Sequence, residues 1–264
     1  MLLAIDLTNL GHVQWHAVGA GAAESGMRRI RAVVQHYKPT QVICGVDSSH
    51  SFRRSIDPSY KANRRSQDRP PELYEQIDRL VLKCQNAGYE IACREGFEAD
   101  DILASAADWA VRNSLQIVLW TLDKDCVQCL IQGRVTILRK PTVSGGEVRS
   151  EWLNAEQAER KYGVRPDQFV DYQCLIGDTS DGMPGLAGFG PKTAVELLAF
   201  GDLRTCLLDE NRWKLPLRAG LVDRLFASRE RIEHLRQIFT LRSDACQEFE
   251  ASNDAVGASM PAAV

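Results

Sequence analysis

Five short apolar runs, three of them ending on an aspartate, constrain this chain more than any other feature. They are Leu2–Asp6, Gln41–Asp47, Tyr89–Arg94, Gln116–Asp123 and Val135–Leu138. Most are continuously apolar rather than alternating, as in strands covered on both faces. Helical patterns lie between them. Met27–Tyr37 places Ile30, Val33, Val34 and Tyr37 on one side and stops before Pro39. The next pattern starts at Pro70-Pro71 and ends at Gly88, with Ile77, Leu80, Val81 and Cys84 inward. Proline suits its first turn and glycine the position just past its last. Glu98–Val111 carries Ile102, Leu103, Ala106 and Ala110 at helical spacing. Strands alternating with helices predict an α/β fold, a mostly parallel twisted sheet with helices on both faces.

In such a sheet the carboxyl ends of the strands form the crevice where ligands bind. Asp6, Asp47 and Asp123 fall there together, and like charges at close range need a counter-charge to stay ionised. Glu98, Asp100 and Asp101 open a helix after the third strand, and Asp125 lies two residues beyond Asp123. Asp178 and Asp181 sit in a loop of the second half. Nine acids without His or Cys partners suit a hard cation, Mg²⁺ or Mn²⁺, rather than zinc. Two such ions about 4 Å apart can activate water and stabilise the leaving oxygen of a phosphodiester. Taken singly, each acid also fits a helix cap or a solvated turn. Asp101 is the member with the strongest claim to that plainer role, since it can face along its helix.

The second half changes character. Residues 1–150 read as the α/β core, 151–245 as helices, and 246–264 as a small, polar, disordered tail. Asn154-x-x-Gln157 reads as a capping box and Gly163 as the matching stop. The net charge is −3, yet setting the nine acids aside leaves +6, so a nucleic-acid partner is not excluded. Eight scattered cysteines without an export signal read as reduced thiols. No apolar run approaches the roughly 20 residues that cross a bilayer. The expectation is a cytoplasmic monomer of a bacterial or phage-infected cell, without membrane contact.

Seven segments, in order, carry a resemblance. They are Ala4-Ile5-Asp6, Gly45-Val46-Asp47, Tyr60-Lys61-Ala62-Asn63-Arg64, Glu98-Ala99-Asp100-Asp101, Leu122-Asp123-Lys124-Asp125, Gly177 through Gly185, and Gly188-Phe189-Gly190-Pro191-Lys192-Thr193-Ala194. The chain resembles the 5′-nuclease family of flap endonucleases, phage 5′-exonucleases and the 5′-nuclease domain of bacterial DNA polymerase I. That resemblance implies a PIN-like core, an arch at about 52–71 and a C-terminal helix–three-turn–helix region. It assigns Asp6, Asp47, Glu98 and Asp100 to a first metal, and Asp123, Asp125, Asp178 and Asp181 to a second. It places Lys61 and Arg64 at the scissile phosphate, and a K⁺ ion on main-chain carbonyls of the helix–three-turn–helix.

The remaining expectations concern DNA. Arg53, Arg54, Lys61, Arg64, Arg65 and Arg69 outnumber Asp57 and Asp68 in the arch segment, and Tyr60 is available to stack on a base. Gly188, Gly190, Lys192 and Thr193 read as a glycine hairpin entering a helix, whose amides hold a duplex phosphate. Pro191 between Gly190 and Lys192 rules out a Walker loop. Cys126-x-x-Cys129 reads as core, and His12-x-x-x-His16 lacks the glutamate of a metalloprotease. The expected activity is divalent-metal-dependent 5′-3′ exonuclease and flap-endonuclease cleavage of DNA with 5′ ends, flaps or nicks. Two alternatives stand beside it: an RNase H-like 5′ nuclease removing RNA primers from RNA/DNA hybrids, and a non-catalytic branched-DNA-binding protein.

Overall fold

A computed structural model describes residues 1–64, 70–144 and 147–245. The first half runs β1 (Leu2–Asp6), α1 (Leu7–Val18), α2 (Ala22–Tyr37), β2 (Gln41–Gly45), α3 (Phe52–Ile56), α4 (Pro71–Asn86), β3 (Glu90–Ala92), α5 (Ala99–Arg112), β4 (Ile117–Trp120), β5 (Val135–Ser144) and β6 (Glu147–Leu153). The strands form one sheet in the order β3-β2-β1-β4-β5-β6, parallel except for the antiparallel edge strand β6. β1 therefore lies between β2 and β4, with Asp6 opposite Gly45.

The continuous apolar runs have the expected cause, because each face of the sheet has its own core. Leu3, Ile5, Cys44, Val118 and Trp120 pack against Met27, Ile30, Leu80 and Cys84 of α2 and α4. Ala4, Ile43, Leu119 and Ile137 face the other way, onto Ile102, Leu103 and Ala106 of α5. That second core continues without a break into the helical half, through Phe169, Leu175, Ile232 and Phe239.

Three differences from the sequence reading have physical reasons. Helix α1 has no strong apolar period, and starts because the Asp6 carboxylate accepts from Asn9 N at 2.8 Å. Gly11 lets it approach α4, since a Cβ there would lie 2.6 Å from Ile77 Cγ1. Helix α2 begins at Ala22 rather than Met27, because its first turns bury only Ala22, Ala23 and Gly26. Finally, β5 runs on to Ser144 and pairs with β6, so the sheet extends to Leu153. The outer part of that hairpin is solvent-exposed and carries no apolar signature.

The second half runs α6 (Ala155–Tyr162), α7 (Phe169–Ile176), β7 (Gly177–Asp178), β8 (Met183–Pro184), α8 (Pro191–Leu198), α9 (Leu203–Cys206), α10 (Ala219–Ala227) and α11 (Arg229–Phe239). The Asn154–Gln157 capping box forms with reciprocal bonds of 2.8 and 2.9 Å, and Gly163 ends α6 at φ 75°. The expected tail 246–264 lies outside the described residues. No helix among them is long and apolar enough to cross a membrane.

Candidate metal centre

Adjacent parallel strands bring the acids together. Asp6 ends β1, Asp47 follows β2, and Asp123 and Asp125 follow β4. Glu98 caps α5 and Asp100 lies in its first turn. Asp47 Oδ1 accepts from Ala99 N at 2.8 Å, which fastens the end of β2 to the start of α5. Thr121 Oγ1 donates to Asp6 Oδ2 at 3.2 Å. Burial, then the charges of Asp47 and Asp123, push the Asp6 carboxyl up to about 8. Burial, then Asp123 and Asp6, push Asp100 well above the usual carboxylate range.

A second group forms beside the first. Ligand oxygens of Asp125, Asp178 and Asp181 all lie within 4.8 Å of one another. Asp178 is delivered by the β7–β8 hairpin, which only glycines permit. Gly177 has φ 77°, and a Cβ on it would lie 2.2 Å from Gly185 N. Asp178 Oδ1 accepts from Ser180 N and Oγ at 2.8 and 2.6 Å, and its Oδ2 meets Lys124 Nζ at 3.0 Å. Despite burial, those Ser180 and Lys124 contacts hold Asp178 below its ordinary range. Asp125 has weaker support. Burial, then Asp123, Asp181 and Asp178, drive it well up, against one bond of 2.6 Å from Gln173 Nε2. The charge of Asp123 acts on Asp6, Asp100 and Asp125, so it joins the two groups.

Two cations of the expected arch close over these acids. Lys61 Nζ meets Glu98 Oε1 at 2.6 Å, and Arg64 Nη2 meets Asp181 Oδ1 at 2.5 Å. Against the cost of burial, Lys61 and Arg53 hold Glu98 below its ordinary range. The segment is anchored to the second group by its backbone: Lys61 N donates to Asp181 O at 2.8 Å, with Lys61 at φ 53°. Arg54, with Lys61 and Arg64, lines a cavity of about 530 Å³ that reaches Asp47 and Glu98.

Three expected site residues are placed elsewhere. Asp101 is fully buried, and both its oxygens are taken by the Arg53 guanidinium at 2.7 Å, so it stands outside the acid cluster. Arg53 is correspondingly 2% exposed and does not reach a DNA-facing surface. Tyr60 is buried too, with its hydroxyl donating to Glu98 Oε2 at 2.8 Å, so its ring is not free to stack on a base. Arg65 and Arg69 lie outside the described residues. Gly188 and Gly190 are exposed ahead of α8, and in its first turn Lys192 is exposed and Thr193 half-buried. Gly188 sits at φ 90° against Arg224, which donates to Ala187 O at 2.8 Å.

Sequence reasoning missed Thr121, Lys124 and Gln173. Lys124 carried a signal, as a cation between two acids. Gln173 carried a fainter one, a polar side chain within the buried stretch of α7. Cys126 lies in the core and Cys129 packs against it. Cys126 donates to Asp100 Oδ1 at 3.5 Å and burial, then Asp100, raise its thiol far above the usual range, while burial pushes Cys129 up to about 12. Among the described residues no Cys or His joins a group of three or more potential metal ligands. An all-oxygen set of repelling carboxylates fits a hard divalent cation.

Comparison with known proteins matches this architecture. The model of the 5′-3′ exonuclease N-terminal resolvase-like domain matches residues 5–163, and that of the 5′-3′ exonuclease C-terminal SAM fold matches 164–260. DNA polymerase I of Treponema pallidum is 31% identical over 239 residues, covering 86% of this chain and 23% of its own length. DNA polymerase I of Mycobacterium tuberculosis is 34% identical over 206 residues, covering 76% and 22%. The chain thus spans about a fifth to a quarter of these relatives. The bacteriophage T5 flap endonuclease, solved with DNA and metal ions, superposes with a TM-score of 0.76 at 21% identity, over 92% of this chain and 90% of that one. By the family models across both halves, the chain belongs to the 5′-3′ exonuclease family.

Proposed function

We propose that this chain hydrolyses phosphodiesters near the 5′ end of branched or nicked DNA, leaving 5′-phosphate products. The observation that carries this reading is the gathering of eight acids from the strand ends, the start of α5 and the β7–β8 hairpin, with Lys61 and Arg64 paired to two of them. Asp6, Asp47, Glu98 and Asp100 would hold one Mg²⁺ or Mn²⁺ ion, and Asp123, Asp125, Asp178 and Asp181 would hold or orient a second. When bound, such ions neutralise the carboxylates, polarise a phosphoryl oxygen and lower the pKa of water.

The chain's own residues do the rest. Lys61 and Arg64 exchange Glu98 and Asp181 for the scissile phosphate, and offset the charge that grows on its oxygens. The backbone of the Gly188–Gly190 hairpin and the first amides of α8, with Lys192 and Thr193, hold a phosphate of the adjoining duplex without reading its sequence. Main-chain carbonyls of that helix–hairpin–helix region would hold a K⁺ ion, which would supply positive charge to a duplex phosphate. The protein acts as a monomer in the cytoplasm, a setting supported by seven free cysteines among the described residues.

The test is a labelled 5′-flap duplex incubated with Mg²⁺ or EDTA, using wild type, Asp178→Asn and Lys61→Ala. Mg²⁺-dependent cutting near the branch, crippled in both variants, is the expected result. Tight flap binding without cutting in Mg²⁺ or Mn²⁺ would leave a binding protein instead. Faster cleavage of an RNA/DNA hybrid than of the flap would reassign the substrate to RNA primers.

A further inference from the structure

Three side chains from residues 53–61 converge on the carboxylate of Glu98. Lys61 takes Oε1, while Tyr60 OH at 2.8 Å and Arg53 Nη1 at 3.2 Å both donate to Oε2. Lys61 already has a part in the proposed reaction. Arg53 and Tyr60 do not: they are 2% and 3% exposed and cannot touch substrate.

Their remaining contacts show what they connect. The Arg53 fork grips Asp101, whose Oδ2 also accepts from Glu98 N at 3.1 Å. Arg53 Nε donates to Ile238 O at 2.7 Å and Nη2 to Thr240 O at 3.3 Å. Carbonyls at a helix end lack intrahelical partners, so Arg53 supplies the end of α11 with donors. Asp101 Oδ1 accepts from Arg242 N at 2.9 Å, just beyond that end. On the far side of α3, His234 and Arg231 of α11 meet Asp57 Oδ2 at 2.9 and 3.7 Å. One buried guanidinium thus ties together α3, the start of α5 and the end of α11. Neutralising Asp101 needs only the fork, and does not account for Nη1 reaching Glu98. Nor does it account for Tyr60, whose hydroxyl has Glu98 as its hydrogen-bond partner among the described residues.

We propose that Arg53 and Tyr60 are positioning residues for Glu98: they fix its Oε2 edge, and Arg53 makes that fixation depend on the docking of α11 against α3. This rests on reading Glu98 as a metal ligand. Charge-assisted bonds in a buried setting are short and directional. Partners of this kind orient a ligating carboxylate, and their loss costs about 10- to 100-fold in metal affinity or activity.

The experiment titrates Mn²⁺ into the full chain by EPR and calorimetry, with the melting temperature measured in EDTA. Tyr60→Phe should weaken Mn²⁺ binding about tenfold with little change in melting, and Arg53→Lys at least as much. Asp101→Asn separates support from positioning: it should lower the melting temperature as far as Arg53→Lys does, with a smaller loss of affinity. The Mn²⁺ concentration needed for half-activation should rise in Tyr60→Phe while kcat at saturating Mn²⁺ stays within about threefold of wild type. If Arg53→Lys does not fold, Tyr60→Phe decides alone. Wild-type Mn²⁺ affinity in Tyr60→Phe, beside a loss in Glu98→Gln, overturns the positioning role and leaves Glu98 a ligand. Unchanged affinity in Glu98→Gln removes the ligand reading, and the positioning role with it.

Discussion

The two acid groups of this site are built by different means. Asp6, Asp47, Glu98 and Asp100 stand at strand ends and one helix start, so the topology of the sheet places them. Asp178 and Asp181 arrive on a glycine-dependent hairpin of the helical half and meet Asp125 only when that half packs onto α5 and the sheet. Their electrostatics differ as well. Asp6 and Asp100 are buried among like charges and pushed toward neutrality. Asp178 is held ionised by Ser180 and Lys124. The first group is a repelling cluster on rigid supports. The second contains an internally satisfied member on a support that long-range packing must hold.

Activity should be most sensitive where the two groups meet. Asp123 acts on both, and Lys61 and Arg64 bridge from the arch to Glu98 and Asp181. Asp123→Asn and Lys61→Ala are each expected to lower flap cleavage by about 10²- to 10³-fold, with folding retained by circular dichroism. Cleavage within tenfold of wild type for Asp123→Asn would dissolve the idea of one joined site.

The next largest effect separates the supports. Gly177→Ala must move backbone atoms of residues 183–185, because its Cβ would meet Gly185 N at 2.2 Å and Met183 O at 2.6 Å. Its cost in urea unfolding should be about 3 kcal/mol or more, from steric clash and positive φ together. Gly190→Ala meets nothing within 4 Å and is extended, so it should cost less than about 1 kcal/mol. Equal costs would mean that the hairpin is not held by close backbone approach.

How much of this was legible follows the same division. The strand-end acids were readable because continuous apolar runs ending in Asp6, Asp47 and Asp123 imply a parallel sheet, and a parallel sheet has one carboxyl edge. The roles of Arg53, Asp101 and Tyr60 were not. Whether a cation or phenol near an acidic cluster faces solvent or is buried depends on contacts such as Arg53 with Ile238, 185 residues apart. Local pattern carries no information on that. Helix α1 escaped for a related reason: Gly11 and its polar neighbours matter through Ile77 of α4, not through their own period.

The pH dependence should also differ between Asp6 and Asp178. The Asp6 carboxyl lies at about 8 when folded and at an ordinary 3.8 when unfolded, so the folded chain binds more protons between these values. Its contribution to stability without metal then falls as pH rises from about 4 to about 8, and Asp6→Asn should raise the melting temperature in EDTA at pH 8 by about 3 °C. Asp178 is depressed on folding, so its contribution is present above its unfolded pKa and is lost as pH falls through the folded one. Asp178→Asn should therefore lower the melting temperature at pH 7. Saturating Mg²⁺ should flatten the decline toward pH 8 in wild type, since a bound cation favours ionised Asp6. A scanning calorimetry series from about pH 5 to about pH 8.5, with and without Mg²⁺, reads the sign for Asp6, and its extension below the 3.8 of an unfolded aspartate reads that for Asp178. A rise in stability from pH 5 to 8 in EDTA would contradict the repelling character of the first group.

The smallest effect tests a surface outside the acid cluster. Lys192 is exposed in the first turn of α8, beside Gly190, where the helix presents amides without intrahelical partners. It should act as one phosphate contact that carries no sequence information. Lys192→Ala is then expected to weaken duplex binding evenly across unrelated sequences, and to lower the slope of log K against log salt by about 1. Mg²⁺-dependent cleavage at saturating DNA should stay near wild type, because α8 contributes none of the eight acids. Arg64→Ala should do the reverse, with cleavage falling more than duplex affinity, because Arg64 is committed to Asp181 at the reacting end. Fluorescence anisotropy with two duplexes at three salt concentrations measures the first half of that contrast. An unchanged slope in Lys192→Ala would mean that the glycine hairpin holds the duplex through its amides alone.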